Sequence, residues 1–133
     1  MAPSGSPDEV LPLIEEKGVT MTAMVPALIP IFSEILDMDL GYDISSLELL
    51  QVGGALLEPA VAQRVCEEWP CKLMQVFGTA EGLICFTDLD DSNEIIINYQ
   101  GRPISPADEI KIVDNEGEEV LSLIHISEPT RPY

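Results

Sequence analysis

Hydrophobic and polar positions change period several times along the chain, and each change marks an element. From Pro7 to about Lys17 the apolar residues Val10, Leu11 and Ile14 recur at helical spacing, with Leu13 broadening the stripe and Glu15 and Glu16 on the polar side. Ser6 stands where an N-cap belongs, Pro7 follows at the first helical position and Glu9 lies three residues on, the arrangement of a capping box. Lys17 meets the carbonyl end of the helix and Gly18 ends it. Val19 to Val25 is continuous, apolar and partly β-branched, which predicts a buried strand stopped by Pro26. Ala27 to Leu36 returns to helical spacing through Leu28, Ile31, Phe32 and Ile35, with Pro30 in its first turns.

An acidic connection from Asp37 to Ser46 leads into Leu47–Val52, a strand ended by Gly53-Gly54. Glu58-Pro59 opens a helix to about Trp69, with Val61, Val65 and Cys66 towards a sheet and Arg64, Glu67 and Glu68 outside. Pro70 closes it, and Cys71–Phe77 forms the next strand. Alternating helices and strands with helical connections predict an α/β fold built on a parallel sheet with right-handed crossovers.

Beyond Leu83 the pattern shortens. Ile84–Thr87 reads as a brief strand, Asp88–Asn93 as a polar turn, Glu94–Tyr99 as apolar and β-rich, and Gly101-Arg-Pro103 as a turn. Glu109–Val113 alternates like a half-buried strand, and Asp114-Asn-Glu-Gly117 is a hairpin signal. The start of an antiparallel β region beside the parallel sheet is therefore expected. The resulting division is an α/β portion over 1–87, a β-rich portion over 88–120 and a tail over 121–133.

Charge narrows the function classes. Twenty-four acidic against six basic residues leave a formal net charge of −18, which argues against nonspecific binding to nucleic acid or an anionic membrane. Neither a secretion signal nor an apolar stretch of membrane-spanning length is present, so a cytoplasmic location is expected. Cys66, Cys71 and Cys85 lack metal-site spacing and read as reduced, buried thiols.

The strongest chemical signal is Gln75-Val-Phe-Gly-Thr-Ala-Glu-Gly-Leu83, a strand running into a loop of small residues that holds one carboxylate, Glu81. Small residues let backbone approach a ligand closely. This stretch resembles the central motif of the adenylate-forming (acyl- and aryl-AMP) ligases, and most of all those that activate 2,3-dihydroxybenzoate or salicylate for siderophore assembly. Three further anchors in matching order support the resemblance: Ser6–Leu13, Leu50-Gln-Val-Gly-Gly-Ala55 and Gln100-Gly-Arg-Pro-Ile-Ser-Pro-Ala-Asp-Glu109.

The resemblance implies attack of an aryl carboxylate on the α-phosphate of ATP, loss of pyrophosphate, and transfer of the aryl group to the thiol of a phosphopantetheinylated carrier protein. It implies ATP and Mg²⁺ as cofactors. Glu81 matches the glutamate that positions the cation and the phosphate. Phe77 matches the aromatic residue beside adenine, Gly54 and Ala55 the turn along the base, and Gln75 and Ala80 further nucleotide contacts. Gly78, with Leu83 and Ile84, matches the wall of the acid pocket. Many family members carry threonine where this chain has Ala80, and alanine is common in the aryl-acid group. Family members are longer, so the chain is expected to be an interior slice of the large domain, inactive by itself. The phosphate loop, ribose-binding aspartate and catalytic lysine would then lie elsewhere in the parent protein. Another acyl- or aryl-CoA ligase of the superfamily, or a non-catalytic fragment, remain open alternatives.

The tail is of another kind. Leu121–Arg131 matches, codon by codon, the translation of a transposase adaptor used in sequencing libraries, and it contains the sole histidine of the chain, His125. Residues 121–133 are therefore expected to be adaptor-derived.

Overall fold

The computed structural model describes residues 5–111 and 113–119. Its first helix, α1 (Pro7–Lys17), starts at Ser6, whose carbonyl accepts from the amides of Glu9 and Val10. It continues through Pro12 and ends at Gly18 in the left-handed conformation, φ 57°. There follow β1 (Met21–Met24), a 3₁₀ turn over Pro26–Leu28, α2 (Ile29–Asp37), β2 (Leu49–Gly53), α3 (Pro59–Glu68) and β3 (Lys72–Gly78). Then come β4 (Ile84–Phe86), α4 (Asn93–Asn98) and β5 (Arg102–Pro103).

The five strands make one sheet in the order β1-β2-β3-β4-β5. Pairings β1–β2 and β2–β3 are parallel, whereas β3–β4 and β4–β5 are antiparallel. A parallel sheet followed by antiparallel strands is the arrangement the residue pattern predicts. Because both crossovers step in the same direction across the sheet, right-handedness puts α2 and α3 on one face. Met24, Leu50, Val52, Leu73 and Gln75 are buried in the strands, while the alternate residues Met21, Ala23, Gln51, Met74 and Val76 are exposed or half-buried.

The core joins α1 through Leu11 and Ile14, α2 through Ile29 and Phe32, and α3 through Ala62 and Val65. Within it, the Trp69 indole N–H donates to Ser33 Oγ at 3.2 Å. Of the stripe expected in this segment, Phe32 is buried and Leu28 and Ile35 pack against the core, whereas Ile31 is 48% exposed; Ile29 and Ser33 are buried as well.

Three expectations are corrected. Arg102–Pro103, expected within a turn, pairs with β4 as strand β5. Glu94–Tyr99 is not β-rich: α4 covers Asn93–Asn98, capped by Ser92 Oγ, which accepts from the Ile95 amide at 3.4 Å. Glu109–Lys111 lies outside the sheet and exposed. Val113 makes one antiparallel bridge to Glu119 around the turn at Asp114–Gly117, whose Gly117 amide donates to Asp114 O. Residues 121–133, with His125, lie outside the described residues.

Candidate functional site

Ligands of parallel sheets gather at the carboxyl ends of the strands, where loops and helix starts converge. Here those ends border an open, mainly apolar cleft of about 470 Å³, lined by Ala23, Met24, Val25, Leu28, Gln51, Gly53, Gly54 and Val76. The Gly53-Gly54 turn shapes its floor. A Cβ on Gly53 would lie 2.6 Å from the carbonyl oxygen of Val76, and Gly54 has φ +86° with Val25 Cγ1 3.7 Å from where its Cβ would be. Only glycine meets both demands cheaply. Ala55 follows the turn and is exposed.

The remaining expected residues share one hairpin. β3 passes into β4 with Phe77 opposite Cys85 and Gly78 opposite Ile84. Between them, the Thr79 amide donates to Leu83 O at 3.0 Å and the Gly82 amide to Thr79 O at 3.2 Å, with Gly82 at φ +135°. Ala80 and Glu81 are exposed at the tip. Phe77 and Ile84 are large apolar residues left 37% and 38% exposed near the end of the sheet. A Cβ at Gly78 would meet Leu83 O and Ile84 Cγ1 at 3.5 and 3.6 Å, so this wall is already in contact.

Gln75 stands apart. It is 1% exposed, and its side chain is bonded to Ile96 O, Ile97 O and Gln100. Its neighbour Val76, opposite in the strand alternation, lines the cleft instead. Sequence reasoning missed Val76, Gly53 and Val25. The signal for Val76 was available, because a strand puts consecutive side chains on opposite faces.

The three thiols are not poised to react at neutral pH. Burial pushes the thiols of Cys66 and Cys85 up, and that of Cys71 up to about 11. Such thiols stay protonated and are poor nucleophiles. Among the described residues no three His, Cys, Asp or Glu side chains are grouped to hold a metal ion. Glu81 is therefore a single carboxylate, and a cation held there would need further oxygen ligands from a phosphate substrate and water, as Mg²⁺ commonly has.

The family model described as AMP-binding enzyme matches residues 1–123. The chain belongs to the AMP-binding enzyme family. It is 48% identical over 117 residues to a 2-hydroxy-7-methoxy-5-methyl-1-naphthoate–CoA ligase of Streptomyces carzinostaticus, covering 88% of this chain and 21% of the relative. It is 47% identical over 120 residues to a 2,3-dihydroxybenzoate-AMP ligase of Bacillus subtilis, covering 90% and 22%. Among solved structures, apo MbtA of Mycobacterium smegmatis superposes with a TM-score of 0.77 at 44% identity, over 89% of this chain and 21% of that one. The chain thus spans about one fifth of the length of the relatives it matches. No helix among its described residues is long and apolar enough to cross a membrane.

Proposed function

We propose that the chain supplies one wall of the adenylation site of an aryl acid–AMP ligase. In the full-length protein an aryl acid such as 2,3-dihydroxybenzoate or salicylate reacts with ATP to give aryl-AMP and pyrophosphate. The observation that carries this reading is the packing of Gly53 against Val76 at the carboxyl ends of parallel strands. It joins the glycine turn to the strand leading into the β3–β4 hairpin, beside an apolar cleft that residues 77–84 themselves do not line. Flat aromatic groups suit such a cleft, and the backbone-rich turn can lie along the edge of a base.

In this reading Gly54, Ala55, Phe77 and Ala80 face the nucleotide, while Gly78, Leu83 and Ile84 border the aryl acid. Glu81 extends from the hairpin tip towards the phosphates, where it would share Mg²⁺ with their oxygens. The cation when bound supplies charge neutralisation between two anionic reactants. The thiol of a phosphopantetheinylated carrier protein then attacks the adenylate carbonyl, forming a thioester as the acyl–phosphate bond breaks and AMP leaves. A second reading, transfer to coenzyme A, is favoured by the similarity to a naphthoate–CoA ligase.

ATP–pyrophosphate exchange by the full-length protein tests the first step. Exchange dependent on salicylate or 2,3-dihydroxybenzoate is expected, and exchange only with aliphatic acids contradicts it. Offering the preformed adenylate to a carrier protein and to coenzyme A separately decides the acceptor.

A further inference from the structure

Beneath the hairpin lies a closed set of amide contacts. Gln75 Nε2 donates to Ile96 O at 2.5 Å and to Ile97 O at 3.4 Å, while Gln75 Oε1 accepts from Gln100 Nε2 at 2.8 Å. The main chain is held as well: the Gln75 amide donates to Thr87 Oγ1 at 2.9 Å, and the Thr87 amide donates to Gln75 O at 3.1 Å. Gln75 is 1% exposed and Thr87 fully buried. Three segments therefore converge on one residue two positions before Phe77: the residue after β4, the end of α4, and the turn at Gln100. The turn is brought in closely by Gly101, at φ +81°, where a Cβ would fall 1.9 Å from the Phe86 carbonyl.

A buried amide is expensive to desolvate, and filling that space with an apolar side chain would suffice if packing were all that mattered. What the amides add is direction. Both Nε2 hydrogens of Gln75 face protein carbonyls and its oxygen accepts from Gln100, so no donor is left over, and the side chain is buried away from the surface.

We propose that Gln75 and Gln100 are positioning residues that hold the β3–β4 hairpin, and with it Phe77 and Glu81, in place for the ATP half of the reaction. This rests on the proposed function, with Gln75 acting through the hairpin in place of touching the nucleotide. The aryl acid, bound in the absence of ATP, should be indifferent to the lock.

The test uses Gln100→Leu, which keeps side-chain volume and removes the donor, with Gln100→Ala as a second variant should the first not fold. In the full-length ligase, kcat/KM for ATP in pyrophosphate exchange should fall about 10-fold, within the range caused by small misplacement of reacting groups. The dissociation constant of the aryl acid without ATP should stay within about twofold of wild type. A lower melting temperature with wild-type kcat and KM for ATP at 25 °C would mean a merely structural contact and overturn the proposal. The double variant Gln75→Leu/Gln100→Leu should lose no more than the worse single variant, whereas multiplied losses would show that the two act separately and overturn the pairing.

Hydrogen exchange provides a readout free of activity. Gln100→Leu should speed exchange of the Thr79 amide and its hairpin neighbours while β1 and β2 stay protected. Unchanged hairpin exchange overturns the proposal. If wild-type protein shows no aryl-acid-dependent exchange of pyrophosphate yet the hairpin alone loosens in the variant, the lock stands and the proposed function fails.

Discussion

The place where a Cβ of Gly53 would stand is 2.6 Å from the carbonyl oxygen of Val76, its register partner on the neighbouring strand. A real Cβ cannot approach a backbone oxygen so closely, and backbone within a paired sheet yields less readily than a flexible side chain. The close approach joins the end of β2 to the end of β3 where the cleft begins.

Gly53→Ala should accordingly push the two strand ends apart. The expected loss is about 1–3 kcal/mol, as for other overpacked sites, read as a lower urea midpoint with unchanged slope. A midpoint equal to that of the unsubstituted chain would show that β3 gives way freely.

The Trp69–Ser33 hydrogen bond makes a second stability prediction. Ser33→Ala leaves a buried indole N–H without its acceptor and should cost about 1–3 kcal/mol. In a Trp69→Phe background the same change should cost about 1 kcal/mol less, because no donor remains to be orphaned. Equal costs in both backgrounds would assign the loss to the cavity alone.

Glu81→Gln probes the proposed chemistry. In the full-length ligase it should lower pyrophosphate exchange by about 10²-fold, the scale of losing an electrostatic contact made in the transition state. Binding of the free aryl acid should change little. Near-wild-type exchange at saturating Mg²⁺ would remove Glu81 from the phosphate end of the site.

The Cys71 thiol gives a pH dependence with a definite sign. Burial raises it from the ordinary 9.0 to about 11. Well below pH 9 both folded and unfolded thiols are protonated and no stability is lost. Between about pH 9 and 11 the unfolded thiol ionises first, so stability falls as pH rises through that window. Cys71→Ala should flatten that part of the urea-midpoint profile. Identical alkaline slopes with and without the thiol would point to other groups, among them Cys66 and Cys85, which burial raises in the same direction.

Much of this protein was legible before any coordinates. Helix stripes at Leu11/Ile14, breaks at Gly18, Pro59 and Pro70, and apolar runs ending in glycine specify successive βα units, since local periodicity and chain chirality leave few other arrangements. The small-residue loop around Glu81 was legible for the same local reason, and in the fold it is the tip of the β3–β4 hairpin. The rest needed partners distant in the chain. Asn-Glu-Ile-Ile-Ile-Asn (93–98) is rich in β-branched residues and too short for periodicity to separate helix from strand. Ser92 capping its start and Ile96 entering the core make it a helix. Likewise no local pattern distinguishes a glutamine that contacts a ligand from one that locks a hairpin. In the fold, strand alternation buries Gln75 against α4 and Gln100, twenty-five residues away, while Val76 turns to the cleft.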